Sequence, residues 1–473
     1  MKKTLKVTGI VLRSILLLIV IVNIGFTLWL KYQLPDYIKN KTPYQISYKS
    51  LDVEILSGSI AAEGVLIKSK NPSDKNVLAI DGFISGLNVS RLGIIDLIKN
   101  KQINTNSVTL SNPRLRIILA NPKTADSIKK KMPFLIRNIT ITKGNIEIIK
   151  PDNSKVFAAQ NLNLDVKNLS LNDDPEGLPF ALDSYKINAK EFFARISDVY
   201  TIRSSNMKTD NGQLEINDFE LKSVLDFKDW EKRFTKQKSL FHIKSKKVSF
   251  DNLVFDKAKL NLTNAQLIDP EIMIQSRDQK VVKAVKNGKK GIDLNFGNVD
   301  IKNGKIAVLK SNGEKSLSLA KFDANVKDLI INEETSGNKL PFKFSDYKIS
   351  GNTFFYDSGK YYNMTLSTLN ITPQSIDLKL FKLIPKVSRA EFVRMIPMEN
   401  DQFDISADRI QFSGVDWTFE KELDVHMKNA RLSRVYERQK SELQQEERCR
   451  YKSAYQDQLS VYGCFTNASE LEV

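Results

Sequence analysis

The side chains able to do chemistry are few and scattered. The chain has only two histidines in 473 residues, His242 and His426, and neither has a cysteine nearby, so the ligand spacing that holds zinc is missing. His242 lies in segment 241–250, which returns as 403–412 with Asp404 in place of the imidazole, so the position does not demand a histidine. Both cysteines, Cys449 and Cys464, fall near the C-terminus, which excludes a disulfide framework, and a cysteine-free stretch of 1–448 suits an oxidising compartment. Asp173, Asp174 and Glu176 could in principle share acid–base work, as could Glu333 and Glu334. They stand just ahead of Leu178-Pro-Phe and Leu340-Pro-Phe, however, in polar stretches that read as solvated turns. There is no Gly-rich phosphate loop, no nucleophile elbow and no His-Glu-x-x-His helix. The sequence therefore offers no catalytic residue, no metal site and no cofactor, and reads as a non-enzyme.

Charge points to surfaces. Lys and Arg number 72 against 55 Asp and Glu, a net charge of +17. No helix-turn-helix, zinc or RNA-binding signature accompanies it, so nucleic acid is rejected as a partner. Basic clusters at 129–131 and 286–290 occupy matching places. Each residue there could gain about 1 kcal/mol beside anionic headgroups, or the clusters are solvated loops. Asn-x-Ser/Thr triplets, as at Asn138 and Asn168, are expected by chance in a chain this rich in Asn and Thr.

The informative residues are apolar, and they repeat. Leu178-Pro-Phe-Ala-Leu-Asp-Ser-Tyr-Lys-Ile187 returns as Leu340-Pro-Phe-Lys-Phe-Ser-Asp-Tyr-Lys-Ile349, and Phe192-Phe193 returns as Phe354-Phe355. Segment 138–144 matches 298–304, and Val108-x-Leu110-x-x-Pro113 is echoed by Ala265-x-Leu267-x-x-Pro270. The period is about 160 residues, which marks a structural repeat. It predicts a partial first unit at 44–119, a second at 120–275, a third at 276–436, and an atypical tail at 437–473. Inside the units the apolar period is two, with Asn and Gly between runs read as turn chemistry, so the sequence predicts antiparallel strands with one apolar face. The residues expected to line that face are Ile139, Ile141, Ile146, Ile148, Leu162, Leu164, Val166, Val299, Ile301, Ile306, Val308, Val326, Leu329 and Ile331. Pro113 and Pro270 are expected at an edge or a strand start.

A few other elements frame these strands. Helical spacing predicts short helices within 90–99, 225–237 and 387–396. These are too few to cover every strand, which leaves a groove or a packed sandwich as the ways to shelter the apolar face. Residues 9–30 are nearly all apolar, with Lys2, Lys3 and Lys6 before them and Trp29 and Tyr32 at the far end. Twenty-two helical residues rise about 33 Å, enough to cross a bilayer core. The expectation is a single-pass transmembrane anchor at 1–32 in the inner membrane, with the body in the periplasm.

Taken in order, these features resemble the AsmA-like family of bacterial envelope proteins, akin to the bridge-like lipid transfer proteins. The resemblance rests on the basic start and apolar segment, the strand pair in 48–67 around Ser57-Gly58-Ser59, Leu87-Asn-Val-Ser90, Leu92, Ile95 and Leu97 at helical spacing, and Val108-x-Leu110-x-x-Pro113-x-Leu115-x-Ile117. It implies a mostly β fold, an elongated antiparallel, taco-like groove built from repeats behind the transmembrane helix. Phospholipid acyl chains would be the cargo, the inner membrane the site of attachment, and an outer-membrane or periplasmic protein the partner. The implied role is lipid transport between membranes or outer-membrane assembly and homeostasis. The family has no catalytic residues to carry over. The rival reading is a structural or scaffolding envelope protein with a packed β core and no lipid cargo.

Overall fold

The computed structural model describes residues 42–54, 57–92, 103–121, 134–171, 180–181, 183–235, 237–256, 259–277, 293–332, 342–395, 401–418 and 424–440, with single positions within 28–41 and at 335. Strands account for 71% of these residues. The described chain divides into two compact units, 1–217 and 218–473, a boundary that falls inside the expected second repeat.

In the first unit, strands Tyr44–Ser47 and Ser50–Glu54 both pair antiparallel with Ser59–Ser69, which pairs with Ala79–Ser90. Ala79–Ser90 then pairs with Ile103–Ser111 and Arg114–Ile118, two halves of one strand separated by Asn112 and Pro113. Both halves run parallel to Phe134–Ile149. From there Lys155–Lys167, Ser184–Arg195 and Tyr200–Asp210 follow, each antiparallel to the one before.

The second unit repeats the device. Ser239–Asp251 pairs with Lys259–Ile268 and Glu271–Ser276, which are split by Asp269 and Pro270 and run parallel to Asp293–Leu309. Lys315–Ile331, Asp346–Ser358, Tyr362–Thr372, Ser375–Pro385, Gln402–Ser413 and Asn429–Lys440 then pair antiparallel in succession.

The parallel pairs correct the expected antiparallel, taco-like groove: strands stack in a solenoid-like order, with a crossover at each repeat junction. A parallel pair needs a connection of about a dozen residues or more, and the chain between 118 and 134, and between 276 and 293, supplies it. Period-two alternation is the same for both pairings, so this difference leaves no trace in the pattern.

Of the two places expected for the prolines, the structure shows the strand start and not the edge. At the first junction Asn112 N–H donates to the Thr142 carbonyl (2.8 Å) and Asn145 N–H to the Pro113 carbonyl (2.7 Å). At the second, Asp269 N–H donates to Lys302 (2.9 Å) and Lys305 N–H to Pro270 (2.7 Å). Asn112 (φ 46°) and Asp269 (φ 51°) take the left-handed conformation that Asn and Asp tolerate best among side-chain-bearing residues. The kink moves the proline out of the ladder, where its missing N–H is no loss. Each proline is thus fully buried between strands on both sides, at the start of a half-strand and away from any edge.

Opposite each proline lies a bulge. Lys143 (φ 53°) and Asn303 (φ 55°), with the glycines that follow them, have the chemistry of a turn, but Phe134–Ile149 and Asp293–Leu309 run straight through them as continuous bulged strands. Glycine is required beside them by close approach. A Cβ on Gly144 would lie 2.8 Å from Ile141 Cγ2, and one on Gly304 2.6 Å from Phe322 Cε1.

Two of the expected helices are present as Phe227–Arg233 and Arg389–Met395. Asp226 caps the first by accepting from Asp229 N–H (2.8 Å). Each buries one aromatic side chain, Trp230 and Phe392. Arg277 stacks 4.9 Å over the Trp230 ring and donates to the Phe234 carbonyl at the helix end (3.0 Å). Of the expected helix at 90–99, Ser90 closes a strand, and 93–99 lie outside the described residues.

The transmembrane anchor and the single-pass inner-membrane placement do not stand as expected. Among the described residues no helix is long and apolar enough to cross a membrane. Residues 1–27, which carry most of the expected span, lie outside the described residues.

Candidate apolar binding face

Cross-strand register assembles the apolar positions into rungs that run across strand after strand. In the first unit one rung is Ala62, Leu87, Leu110, Ile141, Leu164 and Ile187. Another is Ile80, Ile117, Ile148, Phe157, Ala194 and Ile202. Ile139 stands between Val108 and Val166, Ile146 between Leu115 and Ala159, and Leu162 faces Gly144 across the bulge. The second unit has Leu267, Ile301, Ala324, Ile349, Ile371, Ile376, Phe412 and Ala430 on one rung. It has Ile274, Val308, Leu317, Tyr356, Met364, Leu383 and Ile405 on another. Ile306 pairs with Ile272 and Leu319, and Val299 with Ala265 and Val326. Leu329 and Ile331 pair with Phe296 and Leu294, beyond a kink at Asp328 (φ 50°).

No carboxylate or ammonium stands between the ends of these rungs, and the register sets Glu437 beside Ile405 where the last of them reaches Asn429–Lys440. Three of the expected lining residues are buried, Ile141 (8% exposed), Leu162 (6%) and Val299 (9%); the others are half-buried. Neighbouring side chains cover one another's flanks, and two seven-residue helices add little cover. The face therefore keeps accessible hydrocarbon along much of its length.

Several lining residues were not expected from the sequence. Phe157 and Phe192 meet edge to face at 5.7 Å beside the buried Ala159 and Ala189. Phe322 fills the space over Gly304. The repeated Phe-Phe pair was the available signal, and the pleat divides it. Phe192 joins the apolar cluster, whereas Phe193 receives Lys155 and Arg203 over its ring at 5.9 and 5.6 Å.

The opposite face carries cross-strand ion pairs. Lys186 meets Asp210 at 2.8 Å, Lys305 meets Glu271 at 2.8 Å, and Lys327 meets Asp346 at 2.9 Å. Arg409 makes two bonds to Asp377, at 2.8 and 2.9 Å. The hydrogen bonds from these cations hold Glu271, Asp346 and Asp377 below the usual carboxylate range. Asp357 is the most enclosed of these acids: it accepts from Lys310 (2.5 Å) and from Lys386, and those bonds lower its pKa. This face can hold water and counterions.

The histidines stay apart. His242 contacts Glu220 at 3.1 Å; burial would raise the Glu220 carboxyl, but the His242 hydrogen bond and the Lys244 charge hold it low. His426 ends a three-residue strand paired with Asp416–Thr418. Among the described residues no group of three His, Cys, Asp or Glu could hold a metal ion. Asp173, Asp174, Glu176, Glu333, Glu334, both cysteines and the basic clusters at 129–131 and 286–290 lie outside the described residues. No family model matches this chain, and no curated protein matches it.

Proposed function

We propose that the apolar face binds the acyl chains of phospholipid and that the protein contributes to lipid movement between membranes or to outer-membrane assembly. The observation that carries this reading is the set of rungs that cross strand after strand with no carboxylate or ammonium between their ends, half-buried for most of their length. Transfer of a methylene from water to such a surface is worth about 0.8 kcal/mol, so an extended acyl chain laid along it gains without any specific polar contact. The resemblance to AsmA-like proteins, carried by the order of strands and the apolar-x-x-Pro-x-apolar segment, supports the same reading. No catalytic step is required of any residue. The compact clusters around Ile141 and Leu319 favour a second reading, a scaffold whose sheets bury their own side chains and carry no cargo.

Mass spectrometry of an organic extract of the purified full chain, washed free of detergent, separates the two. Phospholipid at near-stoichiometric amounts is expected. A folded, monodisperse and lipid-free protein would sink the lipid reading and leave the scaffold.

A further inference from the structure

Each internal repeat junction joins a closing strand, kinked at a left-handed residue, to an opening strand with a bulge. The closing strands read Val108-x-Leu110-x-x-Pro113 and Ala265-x-Leu267-x-x-Pro270, and they kink at Asn112 and Asp269. The chain makes a third strand of this kind. Asn429–Lys440 reads Ala430-x-Leu432-x-x-Val435 and kinks at Arg434 (φ 48°). In all three, the ladder to the preceding antiparallel strand passes the kink without a change of register. The third differs in what lies on its other side. Pro113 and Pro270 are fully buried beside the opening strands Phe134–Ile149 and Asp293–Leu309, whereas Val435, in the same place, is 46% exposed. Among the described residues Asn429–Lys440 pairs only with Gln402–Ser413.

We propose that this edge takes up a strand of another protein, added in parallel, with the chemistry of this chain's own opening strands. The internal junctions define that chemistry. Ile139 and Ile141 lie beside Val108 and Leu110, and Val299 and Ile301 beside Ala265 and Leu267, so the added strand carries β-branched residues beside Ala430 and Leu432. Opposite the kink it carries a left-handed residue followed by glycine, as Lys143-Gly144 and Asn303-Gly304 do. Glycine suits the place because a Cβ on Gly144 would stand 3.3 Å from the Pro113 ring, and Val435 holds the position of that ring here. Asn112 N–H and the Pro113 carbonyl each bond the opening strand, and Arg434 N–H and the Val435 carbonyl are their counterparts on the edge. Main-chain bonds of this kind give a strand-adding partner its affinity, and alternate side chains give its selectivity. A second copy of this chain does not supply such a strand, since both of its bulged opening strands are already paired on each side. The inference stands on register and exposure and is independent of lipid binding.

The probe is a fluorescein-labelled peptide with the sequence of residues 293–309, titrated by anisotropy against the purified full chain and mapped by hydrogen exchange. Saturable binding is expected, with exchange slowed in 429–440. Gly304→Val in the peptide should weaken binding about tenfold, because the new side chain meets the kinked edge. Val435→Lys in the protein should weaken it by a similar factor, since a lysine on an edge strand opposes pairing. Val435→Pro should bind at least as well as the parent, because it restores the residue of the internal junctions. A peptide that does not bind would overturn the proposal. So would exchange slowed on the rungs and not in 429–440, or binding indifferent to both Gly304→Val and Val435→Lys. Exchange in 429–440 that slows with the chain's own concentration, without peptide, would give the edge to a second copy and overturn it as well.

Discussion

The junction at Pro113 and the junction at Pro270 share a backbone and differ in their side chains. Both kink at a left-handed residue, bury the proline and return two backbone hydrogen bonds to the opening strand. Beside the first bulge, Gly144 meets an isoleucine methyl group and the Pro113 ring; beside the second, Gly304 meets the ring of Phe322. The ion pairs have also moved: Arg116 bonds Glu147 at the first, whereas Glu271 bonds Lys305 two positions earlier on the closing strand at the second. The difference teaches which terms are fixed. Backbone hydrogen bonds and the volume on the apolar face are held, and charge on the wet face is free to wander.

The largest effect should come from placing a carboxylate on a rung. Ile141→Asp removes a buried side chain, worth about 2–5 kcal/mol in truncation alone, and adds an unpaired charge. Ile301→Asp sits at the matching position of the second unit but is half-buried, so it should keep more of its stability. Chemical denaturation should rank Ile141→Asp as the more damaging, and lipid extracted from folded Ile301→Asp should fall sharply. Normal lipid content in that variant would count against the acyl-chain reading.

Next in size is the pair of glycines. Gly304→Val must displace an aromatic ring, and Gly144→Val an isoleucine methyl and a proline ring; overpacking of this kind costs about 1–3 kcal/mol. Thermal melts should show both variants destabilised, with the second junction the more sensitive because a packed ring has fewer ways to yield. Equal shifts would mean the two bulges relax alike.

Acid should act through Asp357. Its carboxyl is held below the unfolded value by Lys310 and Lys386. A depressed folded pKa contributes stability that is complete above the unfolded pKa of about 4 and is lost as pH falls through the folded value. Asp357→Asn should lower stability at neutral pH and flatten the loss on acidification. A variant with the parent's acid profile would show that other carboxylates govern it.

The smallest effect belongs to the wandering ion pairs. Glu147→Gln and Glu271→Gln remove exposed partners, and such pairs contribute little in water. Both should melt close to the parent, and a large drop in either would overturn the view that wet-face charge is free.

Much of this architecture was legible in the residues. The alternation of Ile139, Ile141, Ile146 and Ile148, and its return at Val299 to Val308, reports one wetted and one apolar face, and pleating turns that directly into rungs. The helices around Trp230 and Phe392 were legible from apolar spacing. The bulges were not, because Lys143-Gly144 and Asn303-Gly304 carry the same chemistry as a hairpin turn. Whether such a pair reverses the chain or kinks it depends on the partner strand, here the one that delivers a buried proline. Strand direction was hidden for a related reason: parallel and antiparallel neighbours present the same side chains to the same face. The hydropathy of 9–30 suggested a membrane span, but the described residues contain no helix of that kind.

The pairing order has a consequence for how the molecule fails. Within each unit nearly every strand bonds only to its predecessor and its successor. Such a chain of nearest neighbours behaves approximately as a one-dimensional cooperative array, in which stability is a sum of local terms and nearest-neighbour couplings. A lesion in one rung should therefore unravel its own neighbourhood and leave distant strands protected. Hydrogen exchange would then read as a profile along the sequence, with its steepest steps where the couplings are weakest.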